Sequence, residues 1–396
     1  MPKLDEGVGQ PARAGSRAPV ILLLAGEASG DLHGAHLARE LKVHYPEARL
    51  LGLGGERMAA EGVELLAGLK DLAVMGFVEV LSRLPFFWRL ERKVRRLLTE
   101  EGVDLVIPID YPGFNLRITQ RADELGIPVL YFIAPQVWAW KARRTGTLAR
   151  AASRIAVILP FEEEIFRAEG GDAEFVGHPL LDRPLDLPDR NSFCRQAGLD
   201  ATRPILAIFP GSRAQELRRH LKPFVAAGRR LAAQRPGLQL VLARASGVQV
   251  DLPAGDPPVT QVTDGQALLR HSRAALVKSG TSTLEAALEG TPFIVAYRTH
   301  PLSYRIAQRL VQVDYVALAN LVVGEGVVPE FLQDEVTPST LADALAPLLD
   351  ESEERSHMLE DLDRVRHALG EPGAIARVAE IAREILDGEG FSGAHA

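Results

Sequence analysis

Ser279, Gly280 and Thr281, within the run KSGTSTLEAA (278–287), are residue types suited to holding a phosphate. The apolar run 274–277 before them reads as a buried parallel strand, and 284–288 after them as a helix. A strand that ends in a Gly/Ser/Thr turn and feeds a helix gathers free backbone N–H groups and the positive end of the helix dipole. The pattern also stands upstream, where the apolar run 205–209 leads into Pro210-Gly211-Ser212-Arg213 and a polar helix carrying Glu216. Arg213 adds a permanently charged fork that can grip two phosphate oxygens. Two such turns at neighbouring strand ends of one doubly wound domain suit a diphosphate, so a nucleotide diphosphate is the natural ligand. Either turn alone could serve only to bring a helix close to its strand. No G-x-x-x-x-G-K-[ST] run is present, which argues against phosphoryl transfer.

Alternating elements must position these turns. Strands are expected over 20–25, 49–53, 105–109, 129–133 and 154–158, with helices over 30–45, 56–61 and 115–125. The pattern lapses in GHPLLDRPLDLP (177–188). It resumes with strands over 205–209, 238–243, 274–277 and 293–296 and helices over 215–234 and 281–289, with a short acidic connection after 243. This rhythm predicts an α/β fold with two doubly wound, Rossmann-like domains facing across a cleft. The first domain is expected over 18–180, a linker over 181–190 and the second domain over 191–345. Helices over 346–390, broken at Gly370-Glu371-Pro372-Gly373, could stay with their own domain, pack back on the first or exchange with a second chain. Residues 1–17, rich in Gly, Pro and Ala, read as a mobile tail.

The chain's 396 residues exceed one ordinary core, and a net charge of −7 argues against a nucleic-acid partner. Cys194 stands alone, which excludes an internal disulfide and a multi-cysteine zinc site. The run 20–25 is far shorter than the roughly 18 residues a membrane-spanning helix needs and lacks a signal-peptide layout, so a cytoplasmic protein is expected.

Nine segments, in order along the chain, resemble one family. They are AGEASGDLHG (25–34), VMGFVEVL (74–81), IDYPGFN (109–115), APQVWAWK (134–141), LPFE (159–162), FVGHPL (175–180), PGSR (210–213), SGTSTLE (279–285) and ALANLVVG (317–324). Each is weak alone, but the ordered set resembles the lipid-A-disaccharide synthases, inverting glycosyltransferases of the GT-B fold. The resemblance implies transfer of a 2,3-diacylglucosamine unit from UDP to 2,3-diacylglucosamine 1-phosphate (lipid X), giving a β-1,6-linked disaccharide and UDP. It also implies UDP in the second domain and the acceptor on the side of the first. A UDP-sugar 2-epimerase or a non-catalytic UDP-sugar sensor would share the two-domain fold and the nucleotide seat. The epimerase would act on soluble sugars, and the sensor would need no base.

Inverting displacement at an anomeric carbon needs a base for the acceptor hydroxyl and stabilisation of the departing diphosphate. Asp110 follows the strand 105–109 at the carboxyl edge of the first sheet and is the candidate base, supported by the resemblance. An Asx turn is its structural alternative. Glu27 and Asp31 are rivals; with Ser29 and Gly30 of the same turn after the first strand they are expected at the acceptor side of the cleft, although Asp31 could instead stabilise a helix N-terminus. Ser212, Arg213, Ser279, Gly280 and Thr281 would hold the diphosphate; Glu285 could be a first-turn helix acid, but the resemblance implies a place at the ribose hydroxyls, and Asn320 could meet the donor or serve only its turn. Gln136, Trp138 and Trp140 would wall the cleft, although such tryptophans are as often core. His178, beside Pro179, reads as structural. Gly113 replaces a second acid found in some members of the family. Asp361-Leu362-Asp363 lies in a charged helical run and reads as a solvated face, so neither metal nor other cofactor is expected.

The segment VLSRLPFFWRLERKVRRLL (80–98) sets Phe86, Phe87 and Trp88 among Arg92, Lys93, Arg95 and Arg96. Such a make-up suits either an amphipathic helix with its apolar face in the core or a surface that dips into an anionic leaflet. The acyl chains of the implied substrates favour the second. A peripheral position on the inner face of the cytoplasmic membrane follows, while homodimer formation stays open.

Overall fold

The computed structural model describes residues 17–69, 77–136, 142–183, 186–245, 247–301, 304–305 and 314–388. Its first domain holds seven parallel strands: β1 (Val20–Ala25), β2 (Arg49–Gly54), β3 (Glu64–Gly68), β4 (Leu105–Ile109), β5 (Leu130–Phe132), β6 (Arg154–Val157) and β7 (Ala173–Phe175). They lie in the order β3-β2-β1-β4-β5-β6-β7. The apolar run VILLLA makes β1 a central strand buried on both faces, because parallel sheets are covered by helices on both sides. Leu22 and Leu24 enter one core while Ile21 and Leu23 enter the other. Around the sheet lie α1 (Ala28–His44), α2 (Glu56–Ala60), α3 (Phe77–Glu100), α4 (Pro112–Glu124), α5 (Ala142–Ala151) and α6 (Pro160–Ala168).

The second domain begins with α7 (Arg190–Ala197) and holds six parallel strands. These are β8 (Ile205–Phe209), β9 (Gln239–Ala243), β10 (Val259–Val262), β11 (Ala274–Lys278), β12 (Phe293–Tyr297) and β13 (Glu330–Leu332), in the order β10-β9-β8-β11-β12-β13. Their helices are α8 (Ala214–Gln234), α9 (Gly265–His271), α10 (Ser282–Leu288), α11 (Leu318–Val323), α12 (Pro338–Leu349) and α13 (Glu353–Ala368). The sequence pattern missed β3, β7, β10 and β13, and β10 with α9 occupies the stretch expected to be an acidic connection.

The helices expected over 346–390 divide between the domains. Met358, Leu362 and Val365 of α13 join the second core. The last helix, α14 (Ala374–Asp387), crosses back, and its Ile375, Val378, Ile381 and Ile385 pack with Leu37 and Leu41 of α1 in the first domain. Asp361 pairs with Arg364 at 2.9 Å, and Asp363 stands 3.5 Å from His367, both along α13.

Candidate functional site

Register places the candidate residues together. Ala25 of β1 lies opposite Ile109 of β4, so the turn carrying Glu27 sits beside the turn carrying Asp110. In the second sheet Phe209 of β8 lies opposite Val277 of β11, which brings the Pro210–Arg213 turn beside the Ser279–Thr281 turn. Both pairs of turns sit at the carboxyl ends of central strands, where ligands of open parallel sheets bind. The Arg213 guanidinium reaches across the cleft to within 3.4 Å of the Glu27 carboxylate, with both side chains more than half exposed.

Asp110 and Tyr111 have positive φ values of 48° and 52°, and Ile133, following β5, has 57°. Left-handed backbone at a non-glycine residue costs about 1–3 kcal/mol and concentrates at functional sites. Here it marks the carboxyl ends of two neighbouring strands. Burial, then the nearby Glu27 carboxylate, push the Asp110 carboxyl up to about 6, against the opposing effect of the Tyr111 N–H. A carboxylate so tuned is a competent proton acceptor near neutral pH.

The other sequence candidates separate into two groups. Glu27 is exposed at the start of α1, and Ser29 and Gln136 are exposed as well. Gly30 is buried, its Cα opposite Ala25 with only 3.2 Å left for a Cβ. Asp31, expected on the acceptor side, is buried with 5 % exposure. Its carboxylate accepts from the N–H groups of Gly55 at 2.6 Å, Met58 at 3.1 Å and Arg57 at 3.4 Å. Asp31 therefore caps α2 rather than the helix it belongs to. Trp138 and Trp140 lie outside the described residues. Gly113 leaves open space where a second acid would project.

In the second domain, Glu216 closes the first turn from below by accepting from the N–H groups of Ser212 at 3.0 Å and Arg213 at 3.2 Å. Those two N–H groups, expected to face phosphate, are thus spent on a helix-capping box, while the Arg213 side chain remains at the cleft. Glu216 also pairs with Lys278 at 2.9 Å. Burial would raise its carboxyl, but Lys278 and the capped N–H groups outweigh that and hold it low. His220 completes this layer: its Nε2 accepts from the Arg298 N–H at 2.8 Å, so its Nδ1 donates to the Glu216 carbonyl. Burial lowers the ring to about 4 and keeps it neutral.

The second turn is arranged differently. Gly280 has a φ of 148°, which a side chain would strain, and no acceptor among the described residues takes the N–H groups of Gly280 or Thr281. The Ser279 hydroxyl donates to the Val316 carbonyl at 2.8 Å. Asn320, expected at the donor, is 1 % exposed; its amide donates to the Val328 carbonyl and the Glu330 carboxylate, and its oxygen accepts from the Val328 N–H. Every side-chain polar group of Asn320 is thereby used to brace the 316–330 loop that supports Ser279. Glu285 accepts from Arg183 of the linker at 2.7 Å, a contact between half-buried groups. His178 is buried and its Nδ1 accepts from the Leu180 N–H at 3.1 Å, a capping role.

Helix α3 turns most of its described apolar side chains to the core and its cations outward. Leu90, Val94 and Leu98 are buried, and Phe86 and Phe87 pack half-buried against the same core, away from the expected surface. Trp88 is 74 % exposed. Arg92, Lys93, Arg95 and Arg96 are exposed, but Arg95 is paired with Glu91 at 2.8 Å. Arg89, Arg92, Lys93, Arg96, Leu97 and Glu100 line a shallow depression.

Sequence reasoning passed over Asn115 and Tyr131, which hold the Asp110 turn, and Lys278 and Arg183, which pair with Glu216 and Glu285 in the helices that follow the other two turns. Only the capping box had a local signal, the spacing from Ser212-Arg213 to Glu216.

Two parallel-sheet domains with their strand ends facing a common cleft define the GT-B class, the fold of many nucleotide-sugar enzymes. Solved structures share it: a UDP-GlcNAc 2-epimerase from Neisseria meningitidis bound to UDP-GlcNAc superposes with a TM-score of 0.66 at 14% identity, over 92% of this chain and 100% of that one. The glycotransferase of kitacinnamycin gives 0.63 at 18% identity, over 93% and 99%. At such identities these likenesses carry the fold alone. Sequence is more discriminating: the lipid-A-disaccharide synthetase family matches residues 21–385. The lipid-A-disaccharide synthase of Acidobacterium capsulatum is 42% identical over 94% of this chain and 97% of its own length, and that of Myxococcus xanthus 38% over 93% and 98%. The chain belongs to the lipid-A-disaccharide synthase family.

Proposed function

We propose that this protein transfers the 2,3-diacylglucosaminyl group of its UDP carrier to 2,3-diacylglucosamine 1-phosphate, with inversion. An acceptor hydroxyl oxygen bonds to the anomeric carbon while the bond from that carbon to the diphosphate oxygen breaks. The hydroxyl proton passes to the Asp110 carboxylate, and the charge collecting on UDP is met by Arg213 and by the N–H groups of Gly280 and Thr281. Preorganised donors of this kind supply much of the stabilisation in such reactions. UDP leaves readily, so no second carboxylic acid is needed. The observation that carries the reading is the strained, half-buried Asp110, raised to about 6. Glu285 would accept the ribose hydroxyls, in exchange for Arg183, which holds its Oε1, if both hydroxyls are taken. Both substrates bear acyl chains, and Trp88 with Arg89, Arg92, Lys93 and Arg96 would bring the cleft to an anionic membrane surface on the cytoplasmic side.

The test incubates the protein with both lipid substrates in the presence of chelator and follows disaccharide by mass spectrometry. Disaccharide and UDP are expected from the parent protein. Asp110→Asn should lower turnover by at least 100-fold, within the usual range for general-base removal, with UDP affinity kept. Full turnover by that variant would remove Asp110 as base, and absence of disaccharide from the parent would remove the reaction.

A further inference from the structure

The backbone that carries Asp110 is held by groups to which the reaction itself assigns no part. Asn115, in the first turns of α4, is 1 % exposed. Its Nδ2 lies 2.7 Å from the Asp110 carbonyl oxygen, 3.0 Å from that of Leu24 and 3.4 Å from that of Ile109. One amide thus ties the end of β1 to the end of β4. The hydroxyl of Tyr131, a fully buried residue of β5, donates to the same Asp110 carbonyl at 2.8 Å. From the β1 side, the Tyr111 ring occupies the space where a Cβ on Gly26 would stand. Two donors and one packed ring therefore surround the two consecutive left-handed residues.

These contacts explain how the strain persists. An unrestrained Asp110–Tyr111 pair would relax out of the left-handed region, gaining a few kcal/mol. Relaxation would turn the Asp110 carbonyl away from both donors: Asn115 would lose its shortest contact and keep only Leu24 and Ile109, and the buried Tyr131 hydroxyl would lose its acceptor, an opposing cost of about 1–3 kcal/mol for the unpaired group. Asparagine has the chemistry needed: a leucine of similar size would strand the carbonyls, and an aspartate would set negative charge against them.

We propose that Asn115, assisted by Tyr131, is a positioning residue for glycosyl transfer, fixing the Asp110 carboxylate at the cleft through the Asp110 backbone carbonyl. The inference rests on the reading of Asp110 as base. The groups facing that carboxylate are Glu27 from the α1 turn, Tyr131 from β5 and Tyr111 beside it; Arg213 reaches Glu27 from across the cleft, and Arg117 lies near Tyr111. Release of the clamp lets the carboxylate move towards water, so the acid limb of activity should shift to lower pH even as turnover falls.

The experiment measures kcat, KM, UDP affinity, melting temperature and the pH profile of kcat for Asn115→Ala, Tyr131→Phe and each in an Asp110→Asn background. Expected are losses in kcat on the order of 10- to 100-fold for Asn115→Ala, as for small misplacements of a reacting group, and a smaller loss for Tyr131→Phe. UDP affinity should stay within about twofold, the acid limb should move down, and neither change should add to Asp110→Asn, because coupled groups are non-additive. Parent-like kcat and acid limb in folded variants would overturn the proposal. So would losses that add fully to Asp110→Asn, since the clamp would then act on something else. Tyr131→Phe decides the question alone if Asn115→Ala does not fold. Full activity of Asp110→Asn itself would instead bring down the underlying reading.

Discussion

A carboxyl group that titrates near pH 6 in the native chain works against folding at neutral pH. In the unfolded chain Asp110 would ionise around its ordinary value of 3.8, whereas the folded site raises it to about 6 by burial and by Glu27. The native state therefore binds the proton more tightly. The fold is favoured by protonation at low pH, and this advantage is lost as pH rises through 6. At pH 8 ionised Asp110 costs on the order of 1–3 kcal/mol. Asp110→Asn should accordingly unfold at higher urea than the parent at pH 8, with the gap closing as pH falls from 6 to 4. Equal or lower stability at pH 8 would show that the site does not hold the carboxyl under strain. The placement of Asp110 was legible because an apolar strand followed by Asp-Tyr-Pro-Gly marks a strand end. Its clamp was not: Asn115 meets Leu24 across 91 positions of chain, a contact no local pattern encodes. Asn320 and Asp31 are ambiguous for the converse reason, since a polar residue after a strand reads equally as a ligand contact or as a local brace until the buried backbone groups it satisfies come into view.

The elements themselves show the same limit. Central strands were read to within a residue or two because burial on both faces demands unbroken apolar runs, as in VILLLA and ILAIF. The four missed strands, β3, β7, β10 and β13, form both edges of both sheets. An edge strand needs little apolar sequence, and VTQV shows it. At helix scale the Arg183–Glu285 pair makes a prediction about the nucleotide. If Glu285 must exchange Arg183 for a ribose, Arg183→Ala should tighten UDP binding severalfold in calorimetry, because the ligand no longer displaces a partner worth about 1 kcal/mol. Weaker binding would make Arg183 a ligand contact in its own right. Helix α3 supports a separate test. Each cation near an anionic surface contributes about 1 kcal/mol, so changing Arg89, Arg92, Lys93 and Arg96 to Glu should reduce vesicle binding at least tenfold. The loss should vanish at high salt. Retained binding would leave α3 as an ordinary amphipathic helix, its apolar face already occupied by the first core.

Across the whole molecule the chain passes between domains twice, and the two passages lie side by side. The His178 N–H donates to the Leu369 carbonyl at 3.0 Å, and Gly177, Gly370 and Gly373 all have positive φ. A Cβ on Gly370 would stand 3.3 Å from the Gly177 Cα, a tight contact, in a left-handed backbone that already favours glycine, so glycine eases the close approach of the two passages. Asp182 in the outgoing passage caps the returning one, its carboxylate accepting from the N–H groups of Gly373 at 2.5 Å, Ile375 at 3.1 Å and Ala374 at 3.3 Å. The linker thereby holds α14 against the first domain, where Arg154–Glu384 and Tyr45–Asp387 contacts secure its far end. Its neighbour Arg183 meets Glu285, so a nucleotide that releases Arg183 acts on the same segment that anchors α14. Asp182→Ala should cost about 1–2 kcal/mol, the usual worth of a helix cap. The loss should be local, because stability is distributed by cooperative unit rather than uniformly. Hydrogen exchange is therefore expected to quicken in α14 and in α1, whose Leu37 and Leu41 it covers, while β8 and β11 keep their protection. Protection lost evenly from both sheets would mean that the crossing helix is part of one cooperative whole, and protection lost from neither would mean that Asp182 does not anchor it.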